Sequence, residues 1–554
     1  MTLERAYEAY KLNDFDKAEA LLDPLLRQGN REGTVLHLSA LTALKRGQTY
    51  AALQRVNAAL LDPINAHEMH NTRGLILRAG GAEELAVEAF RQALSLQPSY
   101  RTARENLASV LVALGNPIAA EAELRILVQH DDPSGKYALA LARALNEINQ
   151  KTEAFTVLEN TKITNSQRGL ESAQLHLQLG DSEATLRHAS EAYSDPLYGA
   201  DALRLSLQVH AMSGTWESFG PELIAKLTKL HPNSDEIWGT SISIAYRMNE
   251  KELAKSLFEK SPKGPACLST RAWHMILEKD YINAEDLAVR ALNIIPGLRP
   301  ALSQYCLAAI AKEDYNKSQQ IADIALKSDP NNQFYYAVKA TAGRKRGQDY
   351  GYYFNYEKFV QSYQLPTPQG WKTLEDFNTD LAAELDDLHI NSNAPVNQTL
   401  RGGTQTNPNL VHIKTPAISA FLKAAEVPIS AYIKTIGTDP KHPFLRRNLG
   451  GFRIRSGWSV SLRPNGHHVN HVHPEGWISS SYYVDVPKSK GREGSIIFGQ
   501  PPIDIGLSSE HEIKPKAGTL VLFPSYLWHG TVPFKTGKRR LTLPIDIMPA
   551  LPLA

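Results

Sequence analysis

The sequence predicts an α + β multidomain chain: an all-α superhelix of stacked helix pairs over residues 1–364, then a β sandwich or barrel over 365–554. Three observations carry this reading. Turn-forming and small residues recur every 34 positions in the first part of the chain. The recurrence ends after Gly347, in an aromatic stretch followed by Pro366 and Pro368. From Phe452 onward, short runs rich in β-branched and aromatic residues take over, punctuated by Gly and Pro.

Asn13, Gly47, Gly81, Gly115 and Asn149 lie 34 residues apart. Gly and Asn tolerate a left-handed backbone, so each can end one helix and turn the chain into the next. Ala18, Ala52, Ala86, Ala120 and Ala154 form a second ladder with the same spacing. A small residue there lets the second helix of a pair press closely on the first. The register then slips and resumes through Gly180, Gly214, Asn249, Ala284 and Ser318. The best-formed unit carries Asn71, Gly74, Leu75, Gly81, Ala86, Phe90, Ala93 and Pro98. In period and residue types these units resemble the tetratricopeptide repeat (TPR) family, over about residues 1–360 as roughly ten helix pairs. The resemblance implies a superhelix, because one pair cannot bury its apolar face alone, and a concave groove for a protein or peptide partner. Within the repeats, Cys267 and Cys306 read as buried free thiols. His188, His210, His231 and His274 read as packed or solvated side chains.

Composition narrows the function classes. The 42% hydrophobic and 21% charged residues suit a globular chain. Lys and Arg number 60 against 58 Asp and Glu, which removes the electrostatic case for nucleic acid as a partner. No apolar run reaches the ~18 residues of a membrane span. The opening MTLERAYEAYK mixes charges with apolar residues and does not read as a signal peptide, so the expected location is the cytoplasm. Nothing in the sequence fixes the oligomeric state.

Beyond the aromatic stretch, Leu374, Phe377, Leu381, Leu385 and Leu388 have helical spacing. The linker NSNAPVNQTLRGGTQTNPN and a further helix over about 415–435 lead into the β region. Five runs read as strands: FRIRSGWSVSLRP, WISSSYYVDVP, GSIIFG, GTLVLFP and RLTLPIDI.

The candidate chemistry lies in HHVNHVHPEGWISSSYYVDVP. His471 and His473 are two apart, so on a strand both imidazoles reach the same side. His529 follows the strand GTLVLFP, and eleven residues later Arg540 opens RLTLPIDI. Glu475 and Asp485 could instead supply an oxygen ligand, but neither shares the two-residue spacing. A His-x-ligand pair, a distant His and a basic residue on the next strand make up the order of the double-stranded β-helix (jelly-roll, cupin-like) oxygenases that use Fe(II) and 2-oxoglutarate. The chain resembles the bacterial and phage members of that group that are often fused to TPR repeats. The matching stretches are NQTLRGGTQT (397–406), HVHPEGWISSSYYVDVP (471–487), GTLVLFPSYLWHG (518–530) and RLTLPID (540–546).

The resemblance implies that His471, His473 and His529 bind Fe(II), leaving sites for 2-oxoglutarate and dioxygen. It implies that Arg540 grips the far carboxylate of 2-oxoglutarate and that Tyr483 contacts the same cosubstrate. It also implies an enzyme, usually a hydroxylase, here of a protein or peptide recruited by the repeats. The chain departs from the pattern at one point: most such oxygenases have Asp or Glu where His473 stands. That leaves an iron site one unit more positive and keeps other oxidations open, as well as the alternative of a non-catalytic TPR scaffold with a degenerate barrel. Around the site, Tyr482, Trp477 and Trp528 are expected to pack, and Arg539 to point outward. His467 and His468 are expected on a rim or loop, and Arg453, Arg455 and Arg463 on a solvated face.

Overall fold

The computed structural model describes residues 2–130, 132–390, 398–407, 409–488, 490–535 and 539–550. The start of the linker and the first residue of the NQTLRGGTQT stretch lie outside them. No helix among the described residues is long and apolar enough to cross a membrane. The chain forms two compact units, Met1–Lys162 and Ile163–Ala554.

The first unit is made of helix pairs, from Thr2–Lys11 with Phe15–Arg27 to Lys136–Glu147 with Lys151–Glu159. The 34-residue ladders are its joints. Asn13, Gly47, Gly81, Gly115 and Asn149 all have φ between 59° and 74°, the left-handed turn that joins the two helices of a pair. Ala18, Ala52, Ala86, Ala120 and Ala154 are fully buried between those helices. Gly74 is required by packing, since a Cβ there would meet the Phe90 ring at 2.4 Å.

The second unit continues the helix pairs from Asn165–Leu179 to Tyr315–Ser328 and ends them with the single helix Gln333–Lys345. Here Lys279 (φ 63°) and Glu313 (φ 64°) occupy the left-handed turns 68 and 34 residues before Gly347. These rungs carry neither Gly nor Asn, which is why the sequence pattern looks degenerate there. Cys267 and Cys306 are buried free thiols in these helices.

Among its described residues the β region of this unit has eleven strands: β1 (Gln361–Gln364), β2 (Leu400–Gln405), β3 (Gly451–Gly457), β4 (Val460–His468), β5 (Ile478–Asp485), β6 (Ile496–Phe498), β7 (His511–Ile513), β8 (Thr519–Pro524), β9 (His529–Thr531), β10 (Arg540–Leu543) and β11 (Ile545–Ala550). The larger sheet runs β1-β8-β5-β10-β4-β2, with β11 bonded to β3 and β5. The smaller runs β7-β6-β9, extended by an antiparallel bridge between His471 and His529. From β4 to β10 the chain passes repeatedly between the two sheets, which is a double-stranded β-helix. The helices expected over 374–388 and 415–435 span Leu374–Asp386 and Pro416–Ile436 and cover the outer face of the larger sheet. That cover explains why β8 is buried throughout and β5 is buried up to its last residue, Asp485.

The last repeat helix packs on the barrel through one stripe, Phe334, Ala337, Thr341 and Arg344. The Phe334 ring stands edge-on to Trp528 at 5.7 Å. The Trp528 indole Nε1–H donates to Thr341 Oγ1 at 2.8 Å. Ala337 belongs to the same buried cluster as the barrel strands. Arg344 donates to the carbonyls of Gly499 and Ser508, and Lys345 to that of Ile505. The segment between β6 and β7 therefore lies against the repeats, and its Ile503 is buried in a cluster with Leu268 and Met275.

Candidate metal centre

The larger sheet holds the basic group, Arg540 on β10, the smaller sheet holds His529 on β9 with His471 bridged to it, and His473 lies in the loop between β4 and β5. His471 and His529 form the β bridge, each backbone N–H donating to the other's carbonyl. The His473 N–H donates to the Ser525 carbonyl at 3.0 Å, which swings the chain across the barrel mouth. Ligand atoms of His471, His473 and His529 all lie within 4.8 Å of one another.

Each of these rings has its Nδ1 engaged elsewhere. His471 Nδ1 lies 2.8 Å from the Val469 carbonyl, and His529 Nδ1 lies 2.9 Å from the Leu527 carbonyl. A carbonyl can only accept, so both Nδ1 atoms carry the proton and both Nε2 atoms are left as lone-pair donors. His473 Nδ1 lies 2.8 Å from Asp546 Oδ1, a carboxylate that again accepts. Three Nε2 atoms thus converge, the chemistry of a facial metal set with open positions.

The electrostatics suit neutral ligands at His471 and His529. Burial lowers the pKa of His471 to about 3, assisted by the nearby His473. Burial, with His471 and His473 alongside, also holds His529 well below its usual range. At His473 burial acts in the same direction, but the Asp546 carboxylate outweighs it and the pKa is raised.

Tyr483 and Arg540 stand together inside the barrel, the guanidinium 5.0 Å from the phenol ring centroid. Strand alternation sends Ser479, Ser481 and Tyr483 inward and Tyr482 outward. Tyr482 packs on Phe421 and donates to Asn378 at 2.6 Å. The Tyr483 hydroxyl and Arg540 Nε are buried without a hydrogen-bond partner. Arg540 is 2% exposed, and burial lowers its pKa. A buried cation beside a buried hydroxyl, each with an atom left unpartnered, fits a dicarboxylate cosubstrate whose far end needs those donors. The residues present fit both an iron ion and 2-oxoglutarate.

The remaining expected neighbours are accounted for. Arg539 points outward and pairs with Asp386 and Asp485, so Asp485 is turned away from the histidines. Glu475 is exposed and pairs with Arg455 at 3.5 Å. Trp477 is buried and donates to the Phe444 carbonyl. His467 and His468 close β4 instead of lying in a loop, and the His468 ring comes within 6.0 Å of His471 while its Nδ1 meets Thr399. His188, His210 and His274 lie in helices and His231 caps the end of Trp216–Leu230, with Glu191, Thr215, the Tyr246 ring and the Tyr193 carbonyl as their respective neighbours.

Sequence reasoning missed Asp546, Ser479 and Ser525. All three lie in or beside the stretches singled out above, but only the folded register brings them behind His473.

No curated protein matches the chain significantly. Among solved structures, yeast Tom70 is 12% identical, covering 62% of this chain and 88% of its own with a TM-score of 0.32. The C-terminal part of a TPR repeat-containing protein from Cytophaga hutchinsonii is 14% identical, covering 43% and 98% with a TM-score of 0.36. A Pseudomonas putida prolyl-4-hydroxylase is 18% identical, covering 35% and 95% with a TM-score of 0.25. Over residues 456–546, from the end of β3 into β11, the chain matches the model of the family described as "Putative 2OG-Fe(II) oxygenase", and the three histidines, Tyr483, Arg540 and Asp546 all fall inside that match.

Proposed function

We propose that this protein is an Fe(II)- and 2-oxoglutarate-dependent dioxygenase that hydroxylates a protein or peptide recruited by its TPR repeats. The observation that carries the reading is the convergence of three imidazoles, one buried and two half-buried, whose Nδ1 atoms are all spoken for. His471, His473 and His529 would hold the ion through Nε2. Arg540 would grip the far carboxylate of 2-oxoglutarate with paired N–H donors, and the Tyr483 hydroxyl would donate to the same molecule. Iron with 2-oxoglutarate supplies the activation of dioxygen, coupled to decarboxylation of the cosubstrate to succinate. The barrel wall around Tyr483 and Arg540 excludes water, which strengthens each charge-assisted contact made there.

Anaerobic titration tests the reading. One equivalent of Fe(II) should bind per chain, 2-oxoglutarate should bind to the loaded protein, and air should then yield succinate. His529→Ala should abolish metal binding. Undiminished metal content in that variant would remove His529 from the site. Metal and cosubstrate binding without any succinate would favour the scaffold reading, for which a third neutral ligand in place of a carboxylate is the supporting feature.

A further inference from the structure

An imidazole can ligate through Nε2 only while its Nδ1 keeps the proton. Whatever accepts that proton sets both the ring's orientation and its basicity. Two of the three imidazoles use a local device, the carbonyl two residues earlier, Val469 for His471 and Leu527 for His529. The third does not. His473 reaches 73 residues along the chain to a carboxylate, Asp546 on β11, at 2.8 Å.

We propose that Asp546 is a positioning residue that makes His473 a competent metal ligand and returns the negative charge lost where a carboxylate ligand is replaced by imidazole. The proposal rests on the metal reading of the three histidines.

The surroundings are built for this contact. Asp546 Oδ1 also accepts from the Ser479 hydroxyl at 3.2 Å, and Ser479 Oγ lies 2.9 Å from Ser525 Oγ. Ser525 also holds the His473 backbone, its carbonyl accepting the His473 N–H at 3.0 Å. The ring and the peptide of His473 are thus fixed by one connected group. The donor count is consistent: Asp546 Oδ1 accepts from the His473 Nδ1–H and the Ser479 hydroxyl, and Ser479 Oγ, 3.0 Å from His473 Nδ1, can accept from the same N–H. The β11–β3 register shifts between Asp546 and Ile547, a bulge of the kind that re-aims a side chain beside a site. Both groups are largely buried, with His473 at 20% and Asp546 at 18% side-chain exposure, so little water competes for the contact. A carboxylate–imidazole–metal relay has the same net charge as direct carboxylate ligation, displaced outward by one ring.

Co(II) titration of the full chain without air tests the proposal, read by the visible absorption of the bound ion. The wild-type chain should bind one Co(II). Asp546→Asn, which keeps shape and removes charge, should weaken binding about 10–100-fold, and Asp546→Glu should recover part of the loss. In a His473→Ala background, Asp546→Asn should have no further effect, because the ring it acts through is gone. Circular dichroism of the metal-free variants checks that the fold is kept. Wild-type affinity in Asp546→Asn, or an equal loss with and without His473, would overturn the role of Asp546 while leaving the metal site standing. Failure of the wild-type chain to bind Co(II) would instead overturn the metal reading and this inference with it.

Discussion

Arg540→Met separates a cosubstrate clamp from a packing residue, because the two roles predict opposite signs for stability. The guanidinium is 2% exposed, its Nε has no partner, and no carboxylate among the described residues acts on it. What compensates it among the described residues comes from Tyr483, whose ring face is worth about 2 kcal/mol at a desolvated site and whose hydroxyl also acts on the guanidinium. An uncompensated buried ion costs several kcal/mol, so a methionine of similar length should stabilise the ligand-free protein by about 1–3 kcal/mol. In a unit this large that raises the melting temperature by only a few degrees. The same substitution removes a charge-assisted hydrogen-bond pair to 2-oxoglutarate, worth roughly 1.5–3 kcal/mol, so affinity should fall about 10–100-fold. Calorimetry of 2-oxoglutarate binding to Co(II)-loaded protein measures the loss, and thermal denaturation of metal-free protein measures the gain. An unchanged dissociation constant would refute the clamp. A lower melting temperature would show that Arg540 holds the barrel together.

Arg539→Ala serves as the neighbouring control: its guanidinium pairs with Asp386 and Asp485 at the surface, so cosubstrate affinity in the same titration should change less than about twofold. A fragment of residues 365–554 should precipitate, because it lacks β1 and exposes Trp528, whereas 163–554 should stay soluble and bind metal; light scattering and metal content of the two fragments check this. His274 is held neutral by burial, its pKa lowered to about 3. Its stabilising effect should therefore be complete above about pH 6.5 and fade as the pH falls from there toward 3, since the unfolded chain takes up the proton first. His274→Gln should flatten that acid limb in urea denaturation, and an unchanged limb would show that other groups dominate it.

How much of this could be read from the sequence depended on whether the signal was local. The 34-residue ladders are legible because a left-handed joint and a close helix contact each demand a residue type at a fixed place. Where Lys279 and Glu313 take the same turn, the joint survives and the signal does not. Alternation placed Tyr483 inward and Tyr482 outward because the helix Pro416–Ile436 covers one face of β5 and the barrel interior the other. The His473–Asp546 contact was invisible for the opposite reason. It depends on the pairing of β11 with β3 and on a bulge in that pairing, and nothing in RLTLPID marks the aspartate as facing inward.

The change of texture near residue 365 marks where helices give way to strands, and packing does not follow it. The inner face of Gln333–Lys345 is a partner surface in repeat architectures, yet here Phe334, Ala337, Thr341 and Arg344 spend it on the chain's own barrel. The β6–β7 segment extends the same contact, with Ile503 buried among the preceding helices and Asp504 paired to Lys279. A partner could therefore take the last repeat only by displacing the barrel. Further back, a groove of about 500 Å³ is lined by the small Gly239, Ala266 and Ser269, by Trp273, and by the charged Asp235 and Glu236. The repeats in this unit thus serve two ends: the last helix fixes the position of the barrel, and helices before it keep an open groove.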